Sequence, residues 1–329
     1  DSISSLIEIN NNTFDKEKGT PIIISNVRSK IQGNKFFTSK NEPTALIDIQ
    51  SFSGSEIFNN QSDNPGFIVY RCFFYFGTTY SPKIIFPTYW GNNSNFIYYV
   101  SGNLSVYNNL QIQRGVIVKI DNPVCNCGLR SKIDFLDDKE LGKGKLIAQG
   151  TKEEPIVFTS FKDDEYGGDS NNDGSTTSPQ PGGWAGISFY TSGNVLERVI
   201  IRYAGEVGSK KGALTFYQPD SQIIWNVIEN SSYAGMKFVH QGAFGRTITN
   251  NTIRNNRYGI YYSSSNPSSQ VVLELKNNNI VDNWSYGIYN DNKTGAIIDA
   301  QENWWGDLSG PQASDNPQGK GDKVSEGVE

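Results

Sequence analysis

An acidic, glycine-rich insertion carries the side chains best suited to bind a metal ion. Asp169, Asn171 and Asp173 alternate along the chain and are followed by Gly174. Alternating oxygen ligands with a glycine at the sharp turn are typical of the first half of a calcium-binding loop. The twelfth position of such a loop would be Gln180 in place of glutamate, so the pattern is incomplete.

The insertion, residues 162–181, holds two further carboxylates that could complete the ligand set if it folds back on itself. We therefore expect a structural Ca²⁺ ion in this segment. The alternative is a solvated acidic loop without metal, because no flanking helices are evident. The predicted metal ligands are Asp163, Asp164, Asp169, Asn171 and Asp173.

Aromatic residues are densest between residues 67 and 99. Side chains on a strand alternate between its two faces, so part of this set must lie outside the core. Exposed rings on a rigid sheet suit the C–H faces of sugars. The alternative is that the rings fill a widened core or cover a neighbouring segment. The predicted ligand-binding residues are Tyr80, Tyr89, Trp90, Tyr98 and Tyr99.

The sequence offers little support for catalysis. A glycoside hydrolase needs carboxylates that converge on one face. Adjacent pairs such as Asp137 and Asp138 diverge on a strand, and the repeats contain no stacked acidic positions. The single histidine, His240, excludes a histidine-rich metal centre and has no supporting motif for a catalytic triad. No catalytic residue is predicted.

Composition excludes several classes of protein. The 329 residues carry a formal charge of −5, which provides no basic surface for nucleic acid. No apolar run approaches the roughly 20 residues that would span a bilayer. Three cysteines, Cys72, Cys125 and Cys127, are typical of a chain that does not depend on a disulfide framework. One bridge from Cys72 to either of the others is an open alternative, and so is a zinc site.

Internal repeats are the strongest signal in the chain. Three successive segments share the order asparagine, any residue, isoleucine, then a second asparagine, and then glycine before an apolar residue. The isoleucines, Ile228, Ile253 and Ile280, are 25 and 27 residues apart. The same spacing leads forward to Trp305 and back to Ile201. We expect these five side chains to form one column.

A period near 25 residues, made of short strand-like runs, predicts one turn of a parallel β-solenoid. About ten or eleven coils with loop insertions would fit the chain. Asparagines that recur at one turn can bond to each other through their amides, as in cross-β assemblies. Asn12, Asn34 and Asn59 continue the period more weakly near the amino terminus. These asparagines and glycines are expected to build turns.

Three stretches carry a resemblance to a known family. Residues 144–160, 183–187 and 303–311 resemble secreted and cell-surface right-handed parallel β-helix proteins of the pectate-lyase-like superfamily. The resemblance covers about residues 103–329, whereas residues 1–102 match only in period. It implies three parallel sheets per coil around an inner stack of apolar side chains. It also implies that Trp184, Trp304 and Trp305 pack within the fold.

Members of this superfamily include polysaccharide lyases and hydrolases, and also carbohydrate-binding surface proteins. A weaker likeness is to tapirin-type cellulose-binding adhesins. We expect an all-β, right-handed parallel β-helix that forms a single domain over residues 1–329, cut from a larger protein. Its first part, residues 1–102, would be the divergent coils, and residues 103–329 the regular ones with the acidic insertion.

The functional expectation is a secreted or cell-surface adhesin without catalytic activity. It would bind plant-type polysaccharide, with cellulose as one candidate, on an aromatic lateral face. A polysaccharide lyase or glycoside hydrolase is the first alternative, and a structural stalk or surface-layer element is the second. Nucleic acid is not an expected partner.

Overall fold

The computed structural model consists of β-strands joined by turns. Its contacts divide the chain into two compact units, Asp1–Pro179 (unit 1) and Gln180–Glu329 (unit 2). No helix able to cross a membrane occurs among the residues that the structure describes. Those residues are 6–16, 20–25, 28–38, 44–50, 52–71, 73–75, 78–121, 131–218, 220–239, 248–263, 271–291 and 295–329.

Unit 1 contains short strands rich in isoleucine, valine and aromatic residues, which favour the pleated backbone. Its described strands are β1 (Leu6–Asn10), β2 (Thr13–Lys16), β3 (Ile22–Ser25), β4 (Arg28–Gln32), β5 (Lys35–Thr38), β6 (Thr44–Gln50), β7 (Phe52–Phe58), β8 (Gln61–Arg71), β9 (Phe73–Tyr75), β10 (Thr78–Tyr80), β11 (Lys83–Ile84), β12 (Thr88–Trp90), β13 (Ser94–Ser101), β14 (Asn103–Val106), β15 (Asn109–Ile112), β16 (Ile117–Asp121), β17 (Lys132–Phe135), β18 (Asp137–Asp138), β19 (Gly142–Lys143), β20 (Lys145–Gln149) and β21 (Ile156–Ser160).

Unit 2 repeats three strands per turn with less variation. Its described strands are β22 (Gly186–Phe189), β23 (Val195–Glu197), β24 (Val199–Arg202), β25 (Gly212–Phe216), β26 (Gln222–Ile224), β27 (Val227–Glu229), β28 (Ala234–Phe238), β29 (Ile248–Thr249), β30 (Thr252–Arg254), β31 (Tyr258–Tyr262), β32 (Val271–Lys276), β33 (Asn279–Val281), β34 (Tyr286–Asn290), β35 (Ile297–Asp299), β36 (Pro311–Gln312) and β37 (Gly321–Lys323).

Every third strand of unit 2 pairs in parallel with its counterpart in the next turn. One sheet runs β22–β25–β28–β31–β34, a second β23–β26–β29–β32–β35, and a third β24–β27–β30–β33. In unit 1 the strand position that corresponds to this second sheet is occupied by six strands, β1, β4, β7, β12, β15 and β20. Six and five strands in this position give eleven coils among the described residues. The predicted all-β parallel solenoid of ten or eleven coils is therefore confirmed.

The predicted column of apolar side chains exists in unit 2. Ile201 lies opposite Ile228, Ile228 opposite Ile253, and Ile253 opposite Ile280. All four are fully buried. Trp305 is also buried. The residue before it, Trp304, forms a backbone bridge with Asn279, which precedes Ile280 of the column. Because the same side chain recurs in register, the interior volume filled at this position is the same in each coil.

The expectation that three tryptophans pack within the fold is correct for two of them. Trp184 and Trp305 are buried, and the Trp184 indole N–H donates to the Arg202 carbonyl at 3.0 Å. Trp304 is 45% exposed, so its predicted packing is wrong. Because side chains alternate along an extended chain, Trp304 and Trp305 point to opposite sides.

An asparagine ladder joins the turns of unit 2. Asn226 donates through Nδ2 to Oδ1 of Asn251 at 3.0 Å, and this contact recurs from Asn251 to Asn278 and from Asn278 to Asn303. The same Oδ1 atoms also accept the backbone N–H of the preceding asparagine at 2.8–2.9 Å. Amide side chains that both donate and accept can continue such a chain through many coils. The predicted ladder is confirmed.

Unit 1 has its own ladder with different spacing. Asn12, Asn34, Asn60 and Asn93 are joined by Nδ2-to-Oδ1 contacts of 3.2, 2.9 and 2.9 Å. Asn34 and Asn60 are completely buried. The divergent coils therefore keep the interaction that the regular coils use, although the sequence around it has changed.

Asparagine also builds the corners between the sheets. Asn230, Asn250, Asn255 and Asn277 have positive φ angles of 55–60°. Asparagine tolerates this left-handed conformation better than most residues, because its short amide bonds to nearby backbone. A Cβ atom on Gly259 would lie only 2.6 Å from a backbone oxygen of the next coil. Asparagines therefore build corners as expected, whereas Gly259 lies within β31 and is required by the close approach of the next coil, so the expectation that it builds a turn is wrong.

Replacing Asn251 with alanine is predicted to lower the free energy of unfolding by about 3 kcal/mol, because it leaves buried backbone groups of neighbouring coils without partners. The carbonyl of Ile223 loses a donor at 2.8 Å. Urea denaturation measures the change. Gln222→Ala, which removes a half-buried amide from a neighbouring strand, is the control and should cost much less. Equal losses for both variants would show that the ladder contributes no more than an ordinary amide.

Candidate functional site

Two of the predicted ligand-binding rings belong to the core of unit 1. Trp90 is fully buried and lies in register between Ile57 and Ile112. Its indole N–H donates to the Tyr70 hydroxyl at 3.0 Å, and its ring stacks on Tyr98 at 4.8 Å. Tyr98 is only 1% exposed. Trp90 and Tyr98 therefore cannot lie on an exposed lateral face, and this part of the prediction is wrong.

Tyr99 points away from the core but is covered. Its ring stacks on Phe161 at 4.4 Å and contacts Phe67 at 5.7 Å. Phe161 immediately precedes the acidic insertion and packs against the outer face of the sheet formed by β8, β13, β16 and β21. A ring that covers a neighbouring segment is the alternative that the sequence left open for this region.

Tyr89 and Tyr80 have different outcomes. Tyr89 is half-buried and lines a shallow cleft of about 350 Å³ together with Gln111 and Gln149. It stays a predicted ligand-binding residue. The side chain of Tyr80 lies outside the described part of the structure, so its predicted role also stays a prediction.

A buried lysine anchors the acidic insertion. The Lys119 ammonium group donates to the backbone carbonyl oxygens of Asp163 at 2.8 Å and Gly168 at 2.6 Å. Burial lowers the pKa of Lys119 to about 8, although the Asp163 carboxylate opposes this effect. The Thr159 hydroxyl donates to the Asp163 carboxylate. Asp163 is thus engaged with the sheet beneath it.

The acidic insertion brings three of the predicted metal ligands together. Carboxylate oxygens of Asp164, Asp169 and Asp173 lie within 4.8 Å of one another, and Asp163 is not among them. The loop is wound around Asp169, whose carboxylate accepts the backbone N–H groups of Asp173 at 3.2 Å and Gly174 at 2.8 Å. The alternating pattern therefore produces a convergent set of oxygens.

Three oxygens of this loop are buried and have no hydrogen-bond partner. They are Oδ1 of Asp164, Asn171 and Asp173. Asn171 uses its Nδ2 to donate to Asp173 Oδ2 at 2.8 Å, which leaves its Oδ1 as an acceptor. Burial raises the pKa of the Asp164 carboxyl, and the Asp169 carboxylate acts in the same direction. Buried acceptors without donors are the expected ligands of a hard cation.

Unit 2 carries a surface that the sequence analysis missed. We call it the tyrosine face. In β31, Ile260 and Tyr262 take interior positions, and Tyr261 lies on the opposite face, where it is only 5% exposed. Tyr258, at the start of the strand, packs against Tyr261 at 5.1 Å and is partly exposed. The next coil, β34, repeats them in exact register. The tyrosine face consists of Tyr233, Tyr258, Tyr261, Tyr286 and Tyr289.

The five rings support one another. Tyr258 contacts Tyr233 at 5.3 Å, and Tyr261 stacks on Tyr289 at 5.4 Å. The Tyr261 hydroxyl donates to the Asp291 carboxylate at 2.6 Å. Burial raises the pKa of both Tyr233 and Tyr261. The outcome is a rigid aromatic surface with fixed hydroxyl groups.

A polar groove of about 700 Å³ adjoins the tyrosine face. The Lys323 ammonium lies 4.8 Å from the centre of the Tyr286 ring on one side of it. Hydroxyl, amide and charged groups are therefore available beside aromatic rings. The groove is lined by Tyr286, Tyr289, Asn290, Gln312, Ala313, Ser314, Pro317, Lys323, Val324, Ser325 and Glu326.

The described residues show no second group of three carboxylate, histidine or cysteine side chains close enough to share a metal ion. Glu229 lies between Arg202 and Arg254, with N–O distances of 3.2 and 2.7 Å. These three residues lie on three successive coils, and the two arginines together neutralise the buried carboxylate of Glu229. His240 and all three cysteines lie outside the described residues, so their predicted roles are not addressed.

Comparison with known proteins agrees with this architecture. Residues 170–302 match the family model described as right handed beta helix region. The protein is a right-handed parallel β-helix. Comparisons with curated proteins and with solved structures found no match. The predicted fold and its resemblance to right-handed β-helix repeat proteins are thus confirmed.

The tyrosine face had a signal in the sequence. Each of the last two regular coils contains tyrosine, glycine, isoleucine, tyrosine, at Tyr258–Tyr261 and at Tyr286–Tyr289. The glycine and isoleucine were recognised as part of the repeat, whereas the flanking tyrosines were not. A side chain that recurs 28 positions later in the sequence lies directly above its counterpart in the previous coil. At inward positions this stacking builds the core, and at outward positions it builds a column on the surface.

A carboxylate ends a second ladder next to the groove. Asn256 donates to Asn283 at 3.1 Å, and Asn283 donates through Nδ2 to Asp322 at 2.8 Å. Asp322 precedes the groove residue Lys323. Burial raises the pKa of Asp322 to about 6, although the hydrogen bonds from Asn283 oppose the shift. The folded protein therefore favours the protonated form of this carboxyl.

Asp322→Asn is predicted to remove a pH dependence of stability. A carboxyl whose pKa is raised to about 6 in the folded state stabilises the fold below its ordinary pKa of 3.8 and loses that contribution as the pH rises through 6. The variant should therefore gain about 1 kcal/mol over the wild type between acidic and neutral pH, after discounting for partial exposure. Urea midpoints between pH 4 and 7.5 measure this gain.

Asp315→Asn provides the matched control for this experiment, because it makes the same charge change on an exposed loop of the same unit. Its stability should follow the wild-type pH curve. If the curves of Asp322→Asn and the wild type are parallel, the assigned pKa shift is incorrect.

Proposed function

We propose that this protein is an extracellular carbohydrate-binding protein without catalytic activity, and that it binds plant-type polysaccharide on the tyrosine face. The single observation that carries the proposal is the tyrosine face beside a polar groove, where three partly exposed rings, Tyr258, Tyr286 and Tyr289, are held by the buried Tyr233 and Tyr261. Rings offer their faces to the C–H patches of sugars, while amide and hydroxyl groups fix the orientation of the sugar hydroxyls.

Rigidity supports the proposal. The rings of β31 and β34 are held in register by backbone pairing, and their contacts restrict each side chain. A surface that is already ordered loses little conformational entropy when it binds an extended polymer. A secreted or cell-surface location is part of the proposal, and it is supported by the resemblance of the coils to exported β-helix proteins.

We also propose that the acidic insertion of unit 1 binds Ca²⁺ in a structural role. The support is the convergence of Asp164, Asp169 and Asp173 and the buried oxygens without partners. Lys119 fixes the backbone of the same loop from below. The cation would complete the loop that covers the outer face of the sheet.

Removing two rings of the tyrosine face, Tyr286→Ala with Tyr289→Ala, is predicted to weaken binding to the retained polysaccharide by about tenfold or more, because both partly exposed rings are lost. Pull-down on insoluble glucans and uronate polymers identifies that polysaccharide, and binding isotherms give the change. Tyr107→Ala is the matched control, since it removes a half-buried ring from unit 1 that has no predicted binding role, and Tyr89→Ala tests the predicted role of the unit 1 cleft.

Several outcomes would contradict the proposal. Retention on no polysaccharide would remove the binding function, and loss of binding in Tyr89→Ala alone would move it to the cleft of unit 1. New reducing ends, or products with unsaturated bonds that absorb ultraviolet light, would instead identify a polysaccharide hydrolase or lyase.

Calcium is predicted to raise the melting temperature of the protein, and EDTA to lower it. Tb³⁺ should report the same site by luminescence sensitised through Tyr166, which lies in the loop. Asp164→Asn and Asp173→Asn should each weaken Tb³⁺ binding by about tenfold or more, since each removes a charged ligand. Asp137→Asn, an exposed carboxylate paired with Lys143, should have no effect. Equal luminescence in all variants would refute a site in the insertion.

A further inference from the structure

Trp284 extends the aromatic surface of unit 2 beyond the tyrosine face. Its side chain is 67% exposed, which is unusual for so large an apolar ring. The backbone beneath it is fixed, because the N–H of Trp284 donates to the carbonyl of Asn256 at 3.0 Å. Exposure of an apolar ring to water is unfavourable, so an indole that a fixed backbone holds in an exposed position indicates a binding site.

Arg257 joins Trp284 to the tyrosine face. Its guanidinium carbon lies 5.4 Å from the centre of the Tyr258 ring and 6.0 Å from that of Trp284. The carbonyl of Arg257 accepts the N–H of Ser285 at 2.9 Å, which sets the path of the chain into β34. The aromatic surface is therefore continuous from the tyrosines, through this guanidinium, to the indole.

The direction of this surface follows the strand. Trp284 lies at the bend that precedes β34, Tyr286 and Tyr289 follow on that strand, and Tyr258 and Tyr261 flank these two on the preceding coil. Five residue steps at about 3.3 Å set an upper limit of roughly 17 Å on the distance from Trp284 to Tyr289. The actual distance between the rings is shorter, because the chain bends after Trp284 and the Tyr286 and Tyr289 rings are only 4.9 Å apart. A single sugar ring is too short to contact both ends of that span, whereas a chain of linked rings can contact each side chain in turn.

We propose that Trp284 forms the outer subsite of the tyrosine face and that the ligand is a linear glycan of at least three linked sugar rings lying along β34. This inference rests on the proposed function of the tyrosine face. The glycan is favoured over a protein partner because the rings adjoin a groove lined by hydroxyl and amide groups. Arg257 supplies hydrogen-bond donors between the subsites.

The test uses two series of oligosaccharides, β-1,4-linked gluco-oligosaccharides and oligogalacturonates, each from dimer to hexamer. Calorimetry on the full chain gives the affinity for each length. The wild type should gain affinity from dimer to trimer or longer and then level off. Trp284→Ala should lose about tenfold for the longer ligands and leave dimer affinity unchanged. Trp284→Phe, which keeps a ring, should retain most of the gain.

Two matched controls remove other exposed indoles from the same unit. Trp225 and Trp304 are 46% and 45% exposed, and neither is bridged to a tyrosine-face ring by Arg257. Trp225→Ala and Trp304→Ala should bind every length as the wild type does. Circular dichroism of each variant shows that the fold is intact.

The outcomes separate the two proposals. Wild-type binding with no effect of Trp284→Ala at any length overturns the subsite and leaves the carbohydrate-binding function standing. Absence of binding by the wild type in both series and to insoluble polysaccharide overturns both. A change of oligomeric state in Trp284→Ala, measured by sedimentation, would assign the indole to a protein interface and overturn the subsite.

Discussion

The structure depends on the hydrogen bond that an asparagine side chain donates to the corresponding asparagine of the next coil. An asparagine amide donates and accepts at once, so each member of the ladder passes the interaction to the next. The bond forms only when two coils are in register. Buried ladders in both units, such as Asn34 to Asn60 and Asn226 to Asn251, therefore fix the alignment of all the strands around them.

Fixed register turns every sequence position into a column. Ile228, Ile253 and Ile280 become a stack inside, and by the same geometry Tyr258 and Tyr286 become a stack outside. The tyrosine face needs no separate structural support, since the backbone pairing that builds the core also orders its rings. The cost is that a change at one coil alters the packing of its neighbours on both sides.

The period, the strands and the asparagine ladder could be predicted because they depend on residues repeated along the sequence. The inward positions of Trp90 and Tyr98 could not, because one residue of shift exchanges the two faces of a strand and the divergent coils give no reference for that choice. The contact of Phe161 with Tyr99 was equally unpredictable, since it joins the residue before an irregular insertion to a distant strand. In the acidic insertion, the pattern identified the convergent carboxylates but could not reveal that Lys119 holds Asp163 from below.

The ladder also governs how such a chain can change in length. Asn226, Asn251 and Asn278 offer identical donors and acceptors to their neighbours. Deleting one complete turn would set Asn226 against Asn278 and restore the ladder contact, whereas deleting half a turn would leave each amide without its partner in the next coil. A chain of this architecture can thus lengthen or shorten by whole turns during evolution, through duplication or loss of a single gene segment.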